Sequence, residues 1–183
     1  MVYTLSQRRR EGLRSDVVRQ ALQIDGVDLV MWLERKPDGT PGQAVIARPS
    51  VGELRFRPDG DLEDTRGTHW SVEGELSVLG GRLHEGLLHT PDYPDALARV
   101  WSALLCPASG EILLSAAPGY EFTDWGGQAH IGGGSHGSLH SSDSLGALLL
   151  SGLDLPASPV KQWAIRDVAA LILAHFGLTA PVS

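Results

Sequence analysis

From Asp124 to Asp143 the chain reads DWGGQAHIGGGSHGSLHSSD, and these twenty residues hold His130, His136 and His140, two aspartates and six glycines. Neutral imidazoles are the commonest protein ligands for zinc-like metals, and carboxylates either join them or orient their rings. Glycine lets a loop adopt positive φ and bring its backbone close to a ligand; Gly126, Gly127, Gly132, Gly133 and Gly134 supply that freedom. His136 is the sharpest candidate, because GGGSHG leaves no bulky neighbour to screen its ring. The competing reading is a loop histidine bonded to a carbonyl. His130 and His140 lie six residues before and four after it, in chain too glycine-rich for an i, i+4 helical ligand pair, and each also reads as a surface histidine. Asp124 and Asp143 suit ligation or ring orientation, and Asp143 equally suits a turn cap.

Other reactive types carry weaker patterns. Ser135, Ser138, Ser141, Ser142 and Ser144 crowd the histidines without a GxSxG signature. Cys106 ends an amphipathic stretch and precedes a proline, as a packed small hydrophobe would. Arg8, Arg9 and Arg10, with Arg14 and Arg19, read as a solvated face before a phosphate site. Trp101 and Trp163 fall on apolar helical faces and read as core, whereas Trp125 stands inside the glycine-rich loop.

Composition narrows the function classes. The 183 residues are 42% hydrophobic and 20% charged, which suits one soluble domain over residues 1–183. A net charge of -7 argues against nucleic acid or an anionic membrane as partner. Between Arg99 and Lys161 there is no Lys or Arg, so an anionic substrate bound there needs metal ions or backbone N–H groups. A single cysteine excludes an internal disulfide, and no apolar run reaches bilayer length, so the expectation is a cytoplasmic protein.

The elements that must hold the loop follow from periodicity. Met1 to Leu5 reads as a strand, Ser15 to Ile24 as a helix capped by Ser15, and Val27 to Leu33 as a buried strand. RKPDGTPGQ turns into a strand from Ala44 to Ala47. A second hairpin follows, with arms Glu53 to Arg57 and Thr68 to Glu73 around the acidic loop PDGDLEDTRG, and both hairpins read as peripheral. Leu97, Val100, Trp101 and Leu104 recur at helical spacing over Pro94 to Leu105. Ile112 to Ala116 and Ala147 to Leu150 read as strands, and a last helix runs from Ser158-Pro159 to His175-Phe176. This alternation predicts an α/β layered domain.

The stretches EILLSAAPGYEF, GGGSHGS, DSLGALLLSGLD and WAIRDVAALILAHFGL resemble the C-terminal part of the alkaline phosphatase superfamily, nearest to its type I phosphodiesterase and nucleotide pyrophosphatase branch. In that family a late His-Gly within a glycine-rich loop supplies a metal ligand, and the strand and helix after it complete the sheet. His136-Gly137 is the matching pair. MVY, the helix near Ser15 to Ile24 and GVDLVMW match a strand, helix and strand that follow the family's main metal-binding segment. The resemblance implies a partial alkaline-phosphatase-like layered sheet with helices, with residues 34–74 as a β-hairpin insertion. It implies in-line phosphoryl transfer from a small phosphate ester at two metal ions, Zn2+, one of them held by His136.

The departure is as informative. The family's Thr or Ser nucleophile, early metal-binding Asp, Asp with a nearby His, and Asp-His-Gly segment have no counterpart in these residues. The chain therefore corresponds to roughly the last half of a larger hydrolase, and one imidazole cannot fix a dinuclear site alone. Two alternatives stay open: a non-catalytic metal- or ligand-binding module built on His130, His136, His140 and Asp143, and an inactive remnant that needs an upstream half or self-association to cover its strand edges.

Overall fold

The computed structural model describes residues 10–123, 137–152 and 163–178. The chain forms two compact units, Met1–Leu145 and Gly146–Ser183. The first unit has a mixed α/β architecture. After helix α1 (Arg10–Ala21) come β1 (Val27–Arg35), β2 (Pro41–Arg48), β3 (Gly52–Asp64) and β4 (His69–Gly74). A 3-10 turn, Leu76–Leu79, leads to β5 (Arg82–His84) and β6 (Leu87–His89), then α2 (Ala96–Leu105), β7 (Ile112–Ala116) and the short α3 (Ser141–Ser144). The seven strands make one sheet in the order β5-β6-β3-β2-β1-β7, with β4 also on β3.

The pairing is antiparallel except between β3 and β6. As the hairpin reading requires, β1 to β4 follow one another through short turns, and such turns can only join antiparallel neighbours.

The near-continuous apolar run VDLVMWL is covered on both faces, as such runs require. Leu29, Met31 and Leu33 pack with Leu97, Val100 and Leu104 of α2. Val27, Val30 and Trp32 pack with Val18 and Ala21 of α1. At β2 and β3 the structure corrects the sequence reading. Ala44, Val45, Ile46, Leu54 and Phe56 are fully buried, so the two hairpins supply the middle of the sheet. Alternation sends Leu54 and Phe56 into the α2 core, while Arg55 turns the other way to bond Glu34 at 2.6 Å and Glu53 at 3.0 Å. Guanidinium–carboxylate pairing keeps the Arg55 proton on, raising its pKa chiefly through the Glu34 hydrogen bond.

PDGDLED, which reads as loop, is instead a continuation of β3. The ladder to β4 slips between Pro58 and Leu62, a bulge that accommodates a residue without an N–H. Gly60 sits in that bulge against the backbone of Ser71, where any side chain would collide. Asp64 closes the hairpin. Its Oδ1 accepts the N–H groups of Arg66 at 2.8 Å and Thr68 at 3.0 Å, and its Oδ2 accepts the Trp70 indole N–H at 2.7 Å.

Three further expectations change. Helix α1 begins at Arg10, so Ser15 lies inside it and does not cap it. Residues 147–150 form no strand; Leu149 is 92% exposed. Cys106 is exposed at the end of α2, not packed. In the second unit, α4 (Ile165–His175) starts where the Asp167 carboxylate accepts the Ala164 N–H at 2.7 Å, and it ends at Gly177 in the left-handed region, φ 69°. Trp163 is half-buried before it. The strand expected over residues 1–5 lies outside the described residues. No helix among the described residues is long and apolar enough to cross a membrane.

Candidate functional site

His136, expected as a metal ligand, lies outside the described residues, as do Asp124, Trp125, His130, Ser135 and the glycines Gly126, Gly127, Gly132, Gly133 and Gly134. The chain is described again from Gly137, which has φ 107° and open space where a Cβ would stand. Within the segment from Gly137 to Ser144, Leu139 and Ser141 bond to distant parts of the chain. Leu139 enters the main core beside α2. Its N–H donates to the buried Ser115 Oγ at the end of β7, 2.9 Å, and its carbonyl accepts from the Arg99 guanidinium at 3.1 Å. Ser141 N–H donates to the Asp92 carbonyl at 2.8 Å. Three links to separate parts of the chain thus anchor the segment.

The serines are spent on the same task. Ser138 Oγ accepts the His140 N–H at 3.2 Å, and Ser144 Oγ lies 2.7 Å from the His140 carbonyl as donor. His140 caps α3: its Nδ1 accepts the Ser142 N–H at 3.2 Å and sits 3.0 Å from Ser142 Oγ. The cap is therefore His140, and Asp143 lies exposed in the first turn. Asp143 Oδ1 is 3.3 Å from Ser142 Oγ, so the carboxylate meets the hydroxyl and not the imidazole. A nucleophilic relay needs the reverse order, hydroxyl to imidazole to carboxylate. Among the described residues no group of three His, Cys, Asp or Glu side chains could hold a metal ion.

Beneath His140 lies a polar cluster that the sequence reading missed. Tyr93 is fully buried, and the His140 ring stands edge-on to it with centroids 5.5 Å apart. The Tyr93 hydroxyl donates to Asp28 Oδ2 at 2.6 Å. Asp28 is 6% exposed inside β1, and its other oxygen meets the Arg48 guanidinium from the end of β2 at 3.2 Å. That guanidinium also stacks over the Tyr93 ring at 5.6 Å. A buried carboxylate needs such partners, because desolvation without them costs several kcal/mol. Burial first, then the bond to Asp28, pushes the Tyr93 pKa far above its ordinary value, so the phenol remains a donor. The one sequence signal for this cluster was the lone aspartate in VDLVMWL.

Chemically, the polar atoms of Ser138, His140 and Ser144 are engaged in bonds within Gly137–Ser144. They do not bring His140 and Asp143 together as ligands. No family model, no curated protein and no solved structure matches the chain.

Proposed function

We propose that the chain is the C-terminal portion of a metal-dependent phosphoric ester hydrolase similar to the phosphodiesterases and nucleotide pyrophosphatases of the alkaline phosphatase superfamily, to which His136 contributes one zinc ligand. The observation that carries the reading is the anchoring of Leu139–Ser144, whose bonds begin three residues after His136. A metal ligand must return to the same place on every encounter, and ligands on mobile chain bind weakly. Ser115, Arg99 and Asp92 provide that fixed point.

The described residues do not themselves fit a zinc site, since none of them forms a three-ligand group and the His140 Nδ1 is taken by Ser142. The family's nucleophile and Asp-His-Gly segment have no counterpart in the sequence, so on this reading they belong to another part of the hydrolase. The 183-residue chain alone is expected to show negligible turnover of bis-p-nitrophenyl phosphate with added zinc. Joined to the residues encoded immediately before Met1, it is expected to hydrolyse that ester and to lose the activity on His136→Ala. An inactive joined polypeptide, or full activity with His136→Ala, would refute the proposal.

A further inference from the structure

The hairpin of β5 and β6 sets two imidazoles side by side. Glu85 and Gly86, both at positive φ (52° and 80°), make the two-residue turn that fixes its register. His84 then stands opposite Leu87 and Arg82 opposite His89, so His84 and His89 are diagonal neighbours on one face of the hairpin. Leu83 and Leu88 take the other face, and Leu88 enters the main core. The two imidazole rings meet edge-on with centres 5.6 Å apart.

That separation suits a shared metal ion. Two imidazoles bound through nitrogen at about 2.0–2.1 Å to one tetrahedral ion have ring centres roughly 5 Å apart, so small rotations of the two side chains bring this pair onto it. Neutral imidazole nitrogens select zinc, copper or nickel over magnesium or calcium. The Glu85 carboxylate, 4.0 Å from His84 Nε2, adds negative charge beside the pair. Arg82 opposes it from the same face, but its long stem lets the guanidinium turn to water. Among the described residues no group of three His, Cys, Asp or Glu side chains converges on a metal, so water completes the coordination of an ion held here. The strand has need of a tie. Among the described residues β5 is three residues long, pairs only with β6 and adds no side chain to either hydrophobic cluster, and strands so short are marginal on backbone bonds alone.

We infer that His84 and His89 together hold one divalent transition-metal ion, which clips β5 to β6. The site lies at the opposite end of the strand order from β7 and does not rest on the proposed function. The test uses the full 183-residue chain carrying His130→Ala and His136→Ala, so that neither loop histidine competes, with Zn2+ alone as the probe. In NMR spectra the ring signals of His84 and His89 are expected to shift together and to saturate at one Zn2+ per chain. Hydrogen exchange at the β5 and β6 amides is expected to slow at least about tenfold at saturation. His84→Ala and His89→Ala each leave a single imidazole, and each is expected to weaken zinc binding at least about tenfold, because the second ligand no longer acts at high effective concentration. A zinc-free urea midpoint equal to the parent's shows that each variant folds.

A shift of one imidazole without the other overturns the inference, and the spectra of the chain with both histidines decide this whether or not the alanine variants fold. So does zinc held between two chains, an affinity unchanged by either substitution, or exchange at β5 and β6 that zinc leaves as fast as before. Because His136 is absent from the tested chain, failure here leaves the reading of His136 untouched, and success lends it nothing.

Discussion

Changing Tyr93 to Phe deletes one oxygen from the interior and leaves the ring, so the packing against His140 and Arg48 is retained. Asp28 Oδ2 then loses a donor at 2.6 Å, in a strand position 6% exposed where water does not replace it. Arg48 still meets the other carboxylate oxygen at 3.2 Å, so the charge is not left bare. A hydrogen bond to a charged group is worth about 1.5–3 kcal/mol, and Tyr93→Phe is expected to cost that much at pH 7 by urea denaturation. Asp28→Asn in the Tyr93→Phe background should cost less than in the parent, with a coupling of about 1 kcal/mol or more. The alkaline limb provides an independent check. Because the folded phenol has a pKa raised above its ordinary 10.0, its contribution is complete below pH 10, and the fold loses about 1.4 kcal/mol per pH unit above it, where the unfolded phenol ionises and the folded one does not. Tyr93→Phe removes that slope. A variant within about 0.5 kcal/mol of the parent at pH 7, with the alkaline slope intact, would show that the buried bond contributes nothing.

Two further substitutions probe the frame of the site. Gly60→Ala places a methyl into the Ser71 backbone and should destabilise the first unit by about 1–3 kcal/mol, visible as a lower urea midpoint; an unchanged midpoint would mean that the bulge opens freely. Ser115→Ala strands the Leu139 N–H in the interior at a cost of about 1–3 kcal/mol, and should speed hydrogen exchange at Leu139 and Ser141 without affecting β2 and β3; uniform acceleration everywhere would refute a local anchor.

The sequence alone determined most of the elements. Val27–Arg35, the two hairpins, α2 and Ile112–Ala116 were legible because side-chain periodicity and turn chemistry act over a few residues. The glycine-rich loop reads as the likeliest seat of chemistry, and its residues 124–136 lie outside the described residues. Tertiary structure decided what those elements do. Hairpins that read as peripheral became the centre of the sheet, since rank within a sheet depends on which distant strands pair, here β1 with both β2 and β7. Residues 147–150 have strand-like composition and no strand, because a strand exists only where a neighbour completes its hydrogen bonds. The Asp28–Tyr93 bond joins residues 65 apart in the chain, and no local pattern records such a pairing. A lone aspartate in an apolar strand announces a buried charge; only the folded chain supplies the phenol and guanidinium that make it tolerable.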